Sequence, residues 1–204
     1  MKTNKELLQE FTEYMSGIQK LRSADIPSIQ LYMDQVTTFM NDHLATFRRY
    51  DEDKIMTKTM INNYTKNKLL PAPDKKKYSK DHMILLLFIY YFKSILSITD
   101  IQDLLGPVTE TYFQASEGMD LAGLYDTILT LEDGAANGVL NDLSLQLEKA
   151  SSLFEGAENQ EELQRFAFIC VVSYDVYMKK MLLERMVDEM RQEQKPADKG
   201  AKKG

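Results

Sequence analysis

The run MILLLFIYYF, residues 83–92, constrains this chain more than any other stretch. It offers no polar face at either helical or strand spacing, so it must be covered on most sides. Its length predicts a buried helix rather than a strand. Ser79 ahead of it can cap that helix, and Asp81 suits the positive end of the dipole. The run is far short of the ~20 residues that a membrane span requires. No apolar leader opens the chain at MKTNKELLQEFTEY, so a soluble, cytoplasmic protein with no membrane association is expected.

The flanking sequence supplies the covering helices. Residues 4–21 read as an amphipathic helix, with Asn4 as cap and Leu7, Leu8, Phe11, Tyr14, Met15 and Ile18 inward. Pro27 precedes a second helix over 28–48, with Val36, Met40 and Leu44 on its stripe. Thr57 can cap a short helix over 58–67. Its narrow inner face is Met60, Ile61 and Tyr64, and its outer face Lys58, Asn62, Asn63 and Lys66. The sequence Leu70-Pro71-Ala72-Pro73 stops that helix. Asp74-Lys75-Lys76-Lys77-Tyr78 then reads as a tight basic turn, a hairpin or wing. Ser97 or Thr99 opens a further helix that Gly106-Pro107 ends, and a domain boundary is placed there.

Beyond it, residues 108–118, 119–132, 138–154 and 160–191 read as helices. The last is apolar on more than one stripe, which calls for its own domain on one side and a partner subunit on another, or for a central place in a monomer core. Residues 192–204 form a polar, Lys-rich tail expected to be disordered. The fold expected is all-α with a small β wing. It comprises an N-terminal helix over 1–25, a DNA-binding core over 26–106 and a helical dimerisation or effector domain over 107–191.

Charge is unevenly spread. Residues 54–80 hold eight lysines and one acid, Asp74, a net +7 in a chain of −6, which leaves −13 for the rest. Clustered lysine in an acidic protein is an electrostatic footprint for polyanions, because it releases counterions from phosphate. A solvated Lys-rich turn is the plainer explanation of the same island.

Catalytic chemistry finds little support. The single cysteine, Cys170, excludes an intramolecular disulfide and a Cys-based zinc site, and its apolar neighbourhood predicts an inert thiol. His43 and His82 stand far apart on separate predicted helices. No phosphate-cradling glycine loop, H-E-x-x-H or G-x-S-x-G occurs. No enzyme activity, metal or cofactor is expected.

Five elements in order carry a family resemblance: Ile61-Asn62-Asn63-Tyr64, Lys68 to Pro73 (KLLPAP), Lys75-Lys76-Lys77-Tyr78-Ser79, Leu86-Leu87-Phe88-Ile89, and Ser97 to Leu105 (SITDIQDLL). Together they resemble the winged helix-turn-helix of MerR-type transcription regulators. More nearly, they resemble an uncharacterised bacterial domain-of-unknown-function family built on that core. The resemblance implies DNA binding. Asn62 and Asn63 stand where that family carries Arg and Tyr, and Lys68 stands where it carries a helix-ending Gly.

On this reading the helix over 58–67 enters the major groove. Thr57, Lys58, Asn62, Asn63, Tyr64 and Lys66 are its candidate contacts, with Lys75, Lys76, Lys77 and Tyr78 gripping phosphate or the minor groove. The partners expected are duplex DNA and a second copy in a homodimer. A small-molecule effector held by the C-terminal helices is also compatible. The alternative is a helical protein-interaction module that has lost DNA binding.

Overall fold

The structure, a computed structural model, describes residues 2–194 and is mostly helical with one two-stranded antiparallel sheet. It divides into two compact units. One holds residues up to Ile26 together with Ala122–Lys179. The other holds Pro27–Leu121 and the C-terminal helix from Lys180 onward.

The second unit is built around the apolar run. Helix α4 (Lys80–Phe92) buries every residue from His82 to Ile89, as a helix without a polar face must. The same unit holds β1 (Leu31–Tyr32), α2 (Met33–His43), α3 (Lys58–Lys66), β2 (Lys77–Tyr78) and α5 (Ile98–Tyr112). Val36 and Met40 of α2, Ile61 of α3 and Ile101 of α5 are fully buried. Strand β2 packs on both α2 and α4.

Three boundaries differ from the sequence reading. The helix expected over 28–48 begins only at Met33 and ends at His43, with a 3₁₀ turn over Ala45–Phe47. Leu31 and Tyr32 are instead spent on the sheet, pairing with Tyr78 and Lys77. Leu31 points in and Tyr32 out, the period of two that a strand imposes. Gly106-Pro107 does not stop α5, which runs on to Tyr112. Proline costs the helix the bond to Asp103's carbonyl and about 3 kcal/mol. The continuation delivers Phe113, whose ring stands edge-on to His82 at 4.9 Å, and Gln114, whose amide donates to Asp81 at 2.7 Å. These tertiary contacts offset the loss.

In the first unit, α1 (Asn4–Gly17) is capped by Thr3 rather than Asn4, and it ends at Gly17 rather than residue 21. Thr3 Oγ accepts from the Glu6 amide while Glu6 returns a bond to the Thr3 amide at 2.7 Å. The segments read as 119–132 and 138–154 form a single helix, α6 (Leu121–Ser151), which passes through Gly134 and Gly138. Helical glycine costs only about 1 kcal/mol each, too little to end a long helix. Tyr125 Oη donates to the carbonyl of Leu21 at 2.7 Å, and Asp126 accepts from the Ser23 amide and hydroxyl.

Helix α7 (Gln160–Gln194) contributes residues to both units and extends past Arg191. The tail expected from 192 is therefore helical through Gln194, and its remainder lies outside the described residues. Among the described residues no helix is long and apolar enough to cross a membrane, and no three His, Cys, Asp or Glu residues group as metal ligands.

Candidate nucleic-acid interface

Helix α3 is short and closed at both ends by local chemistry. Thr57 Oγ accepts from the Met60 amide at 3.2 Å, satisfying one of the orphan donors of the first turn. At the other end Lys68 adopts a left-handed conformation, φ +58°. The amide of Leu69 donates to Tyr64's carbonyl at 2.8 Å and that of Lys68 to Thr65's at 3.1 Å. This is a Schellman ending, with buried Leu69 and Tyr64 as its apolar pair. Lysine performs the turn that usually falls to glycine.

The approach to α3 is also fixed. Asn41 of α2 donates to Met56's carbonyl at 2.7 Å and accepts from Ile55's amide at 3.1 Å. An open groove of about 500 Å³ lies there, lined by Thr37, Thr38, Asn41, Asp42, Lys54 and Thr57 among others.

Of the residues expected on α3, Lys58, Asn62, Asn63 and Lys66 are exposed and Thr57 is half-buried. Their spacing gathers them on the side away from Ile61 and Tyr64. Lys58 is ion-paired with Asp34 of α2. Tyr64 is 7% exposed and Tyr78 3%, so both belong to the core and not to the surface. Burial raises the pKa of both phenols above their ordinary value.

The wing takes its shape from a two-residue turn. The amide of Lys77 donates to Asp74's carbonyl at 2.8 Å, with Lys75 at φ +47° and Lys76 at φ +65°. Left-handed conformation at both central residues makes a type I′ turn, usually the province of Asn-Gly. A non-glycine residue there costs roughly 1–2 kcal/mol. The turn presents Lys75 and Lys76 to solvent. Beyond it, Lys77 is half-buried and its ammonium lies 5.5 Å from the centre of the Tyr32 ring. Tyr32, exposed on β1, is thus a wing residue that sequence reasoning missed. Its partner strand lies over forty residues away in sequence, and no local signal marks such a pairing.

Beneath the wing, His82 holds the junction of β2 and α4. Its Nδ1 accepts from the Ser79 amide, and Tyr78 and Phe113 stand edge-on to its ring. Its Nε2 faces the carbonyls of Pro71 and Ala72 without a hydrogen bond of good geometry. Burial lowers the imidazole pKa, against smaller opposing effects from those carbonyls and Asp81.

Residues 21–128 match the family described as a domain of unknown function, DUF1836. The chain belongs to that family. The match contains α3 and the wing whole, so the DUF1836 core and the basic surface coincide. No curated protein and no solved structure matches the chain.

Proposed function

We propose that this DUF1836 protein binds duplex DNA as a MerR-like winged helix-turn-helix and acts as a transcription regulator. The observation that carries the reading is the pairing of two basic surfaces within one compact unit: the Lys/Asn face of α3 and the strained lysine turn beside Tyr32. Asparagine amides can pair bidentately with adenine, while ammonium groups meet phosphate. The reading places the protein's work in the cytoplasm, beside the chromosome.

The test is selection of fragments from the source genome followed by titration of the enriched sites. Replacing Lys75, Lys76 and Lys77 by Ala weakens binding to every sequence and reduces the salt slope by about 1 for each phosphate no longer neutralised. Replacing Asn62 or Asn63 by Ala costs roughly 1–3 kcal/mol on the preferred site and little elsewhere. No enrichment by a correctly folded protein rejects the reading.

One observation favours the rival. Asp34 neutralises Lys58 on the face that would meet the groove, as suits a surface recognising an acidic protein. On that reading Asp34→Ala leaves DNA affinity unchanged, whereas a DNA reader gains affinity from the freed ammonium.

A further inference from the structure

The wing carries three lysines with no acid to answer them. Among the described residues, no carboxylate and no hydrogen-bond acceptor takes the ammonium of Lys75, Lys76 or Lys77, whereas Lys58 on α3 is paired with Asp34. Lys77 differs from its two exposed neighbours in being half-buried. What it has in place of an acid is an aromatic face.

The strand register creates that pairing. Tyr32 stands directly opposite Lys77, and Leu31 opposite Tyr78. Leu31 and Tyr78 are buried, so the alternation of a strand turns Tyr32 and Lys77 together to the outer face. The Lys77 ammonium lies 5.5 Å from the centre of the Tyr32 ring, within the range of a cation–π contact. The backbone amide of Tyr32 is already spent on the Gln35 side chain at 2.9 Å. Its phenol hydroxyl makes no hydrogen bond among the described residues, and the residue is 54% exposed. An ammonium has three donors, and the ring covers one side of it. The remaining donors are directed at solvent or at an anion.

Given the DNA binding proposed above, we propose that Tyr32 is a contact and positioning residue of that interface. Its ring holds the Lys77 ammonium against a backbone phosphate, and its exposed edge lies against the same stretch of backbone. Fixing a lysine on a phosphate costs rotamer freedom, and a ring that already holds the ammonium reduces that cost. The contact is to phosphate, so it carries no sequence preference.

Mixed-sequence duplex DNA is therefore the probe, titrated against the full chain at low salt with the anisotropy of labelled DNA as the measure of binding. The chain contains no Trp, so Tyr32→Trp introduces a lone indole at the wing while keeping a ring for Lys77. Its emission is expected to be quenched in step with the anisotropy. Tyr32→Phe keeps the parent affinity within about twofold, whereas Tyr32→Leu, which fits a strand but has no π face, weakens binding roughly two- to fivefold. In a Lys77→Ala background Tyr32→Leu has no further effect. A residue that merely stabilises the strand causes the same loss with or without the ammonium. If Tyr32→Leu lowers the thermal midpoint, the Tyr32→Trp emission decides alone. An indole emission unchanged at saturating DNA, or a Tyr32→Leu loss undiminished in the Lys77→Ala background, overturns the assignment while DNA binding stands. A parent chain that binds no DNA overturns both.

Discussion

His82 Nδ1 accepts the backbone hydrogen of Ser79 at 3.0 Å, with the Ser79 hydroxyl oxygen 2.8 Å away. An imidazole thus fills the place of the glutamate in a capping box. The role requires an unprotonated Nδ1, and burial keeps the folded pKa below the ordinary 6.5. The unfolded chain therefore binds the extra proton first as pH falls. Stability from His82 is complete above the unfolded value and is lost as pH drops through it toward the lower folded pKa. Urea titrations at neutral and mildly acidic pH will show a midpoint that falls with acid. His82→Gln keeps an acceptor at the same position of the box and cannot titrate, so its midpoint will depend less on pH, whatever its absolute stability.

Left-handed Lys75 and Lys76 set stability against binding in the wing. Asn-Gly is the pair that a type I′ turn favours, and relieving the two lysines recovers on the order of 1–2 kcal/mol each. Lys75→Asn with Lys76→Gly will raise the thermal midpoint. On the DNA reading the same variant binds more weakly and with a shallower salt slope. A stabilised variant with undiminished affinity removes these two lysines from the interface.

Tyr64 and Asn63 are adjacent in sequence and opposite in burial. Tyr64→Phe removes a hydroxyl from a largely buried ring and will shift stability, and on the DNA reading it leaves nucleic-acid affinity unchanged. Asn63→Ala removes an exposed amide from α3 and will leave the melting curve within about 0.5 kcal/mol of the parent, as surface substitutions do. Any effect of Asn63→Ala will fall on binding. Reversed results would mean that α3 is rotated about its axis relative to the burial described.

What the sequence revealed follows the range of the interactions involved. The Thr57 cap, the Ser97 cap and the buried α4 were legible because each depends on residues within a turn or on an unbroken apolar run. The wing was legible as a turn but not as a sheet. Tyr32 continues the helical spacing of Val36 and Met40, and only the pairing of Leu31 and Tyr32 with Tyr78 and Lys77 removes them from the helix. Gly106-Pro107 was misread as a stop for the same reason, since the Phe113–His82 contact that draws the helix onward is tertiary. Tyr64 and Tyr78 joined the candidate site because a tyrosine beside lysines and asparagines looks alike whether its ring faces the core or the groove.

Arg191, close to the end of α7, ties that helix to α5. Its Nε donates to Asp103 at 2.5 Å and one terminal nitrogen to Asp100 at 2.8 Å, while the other meets Asp188 at 2.9 Å. Asp100 also closes the capping box at the start of α5. The Ser97 hydroxyl, foremost, and then Arg191 hold its carboxyl below the usual range. One guanidinium therefore secures the C-terminal helix and the first turn of α5 together, in the fork geometry that arginine supplies and lysine does not. Arg191→Lys will recover only part of the stability lost in Arg191→Ala, because a point charge cannot serve both carboxylates in that geometry. Thermal melts of Arg191→Ala, Asp103→Asn and the double variant will give a non-zero coupling. The coupling will shrink in high salt, as expected of partly exposed charges. Additive effects of the two substitutions would mean that the pair contributes nothing and that α7 is held at this end by apolar packing through buried Val187.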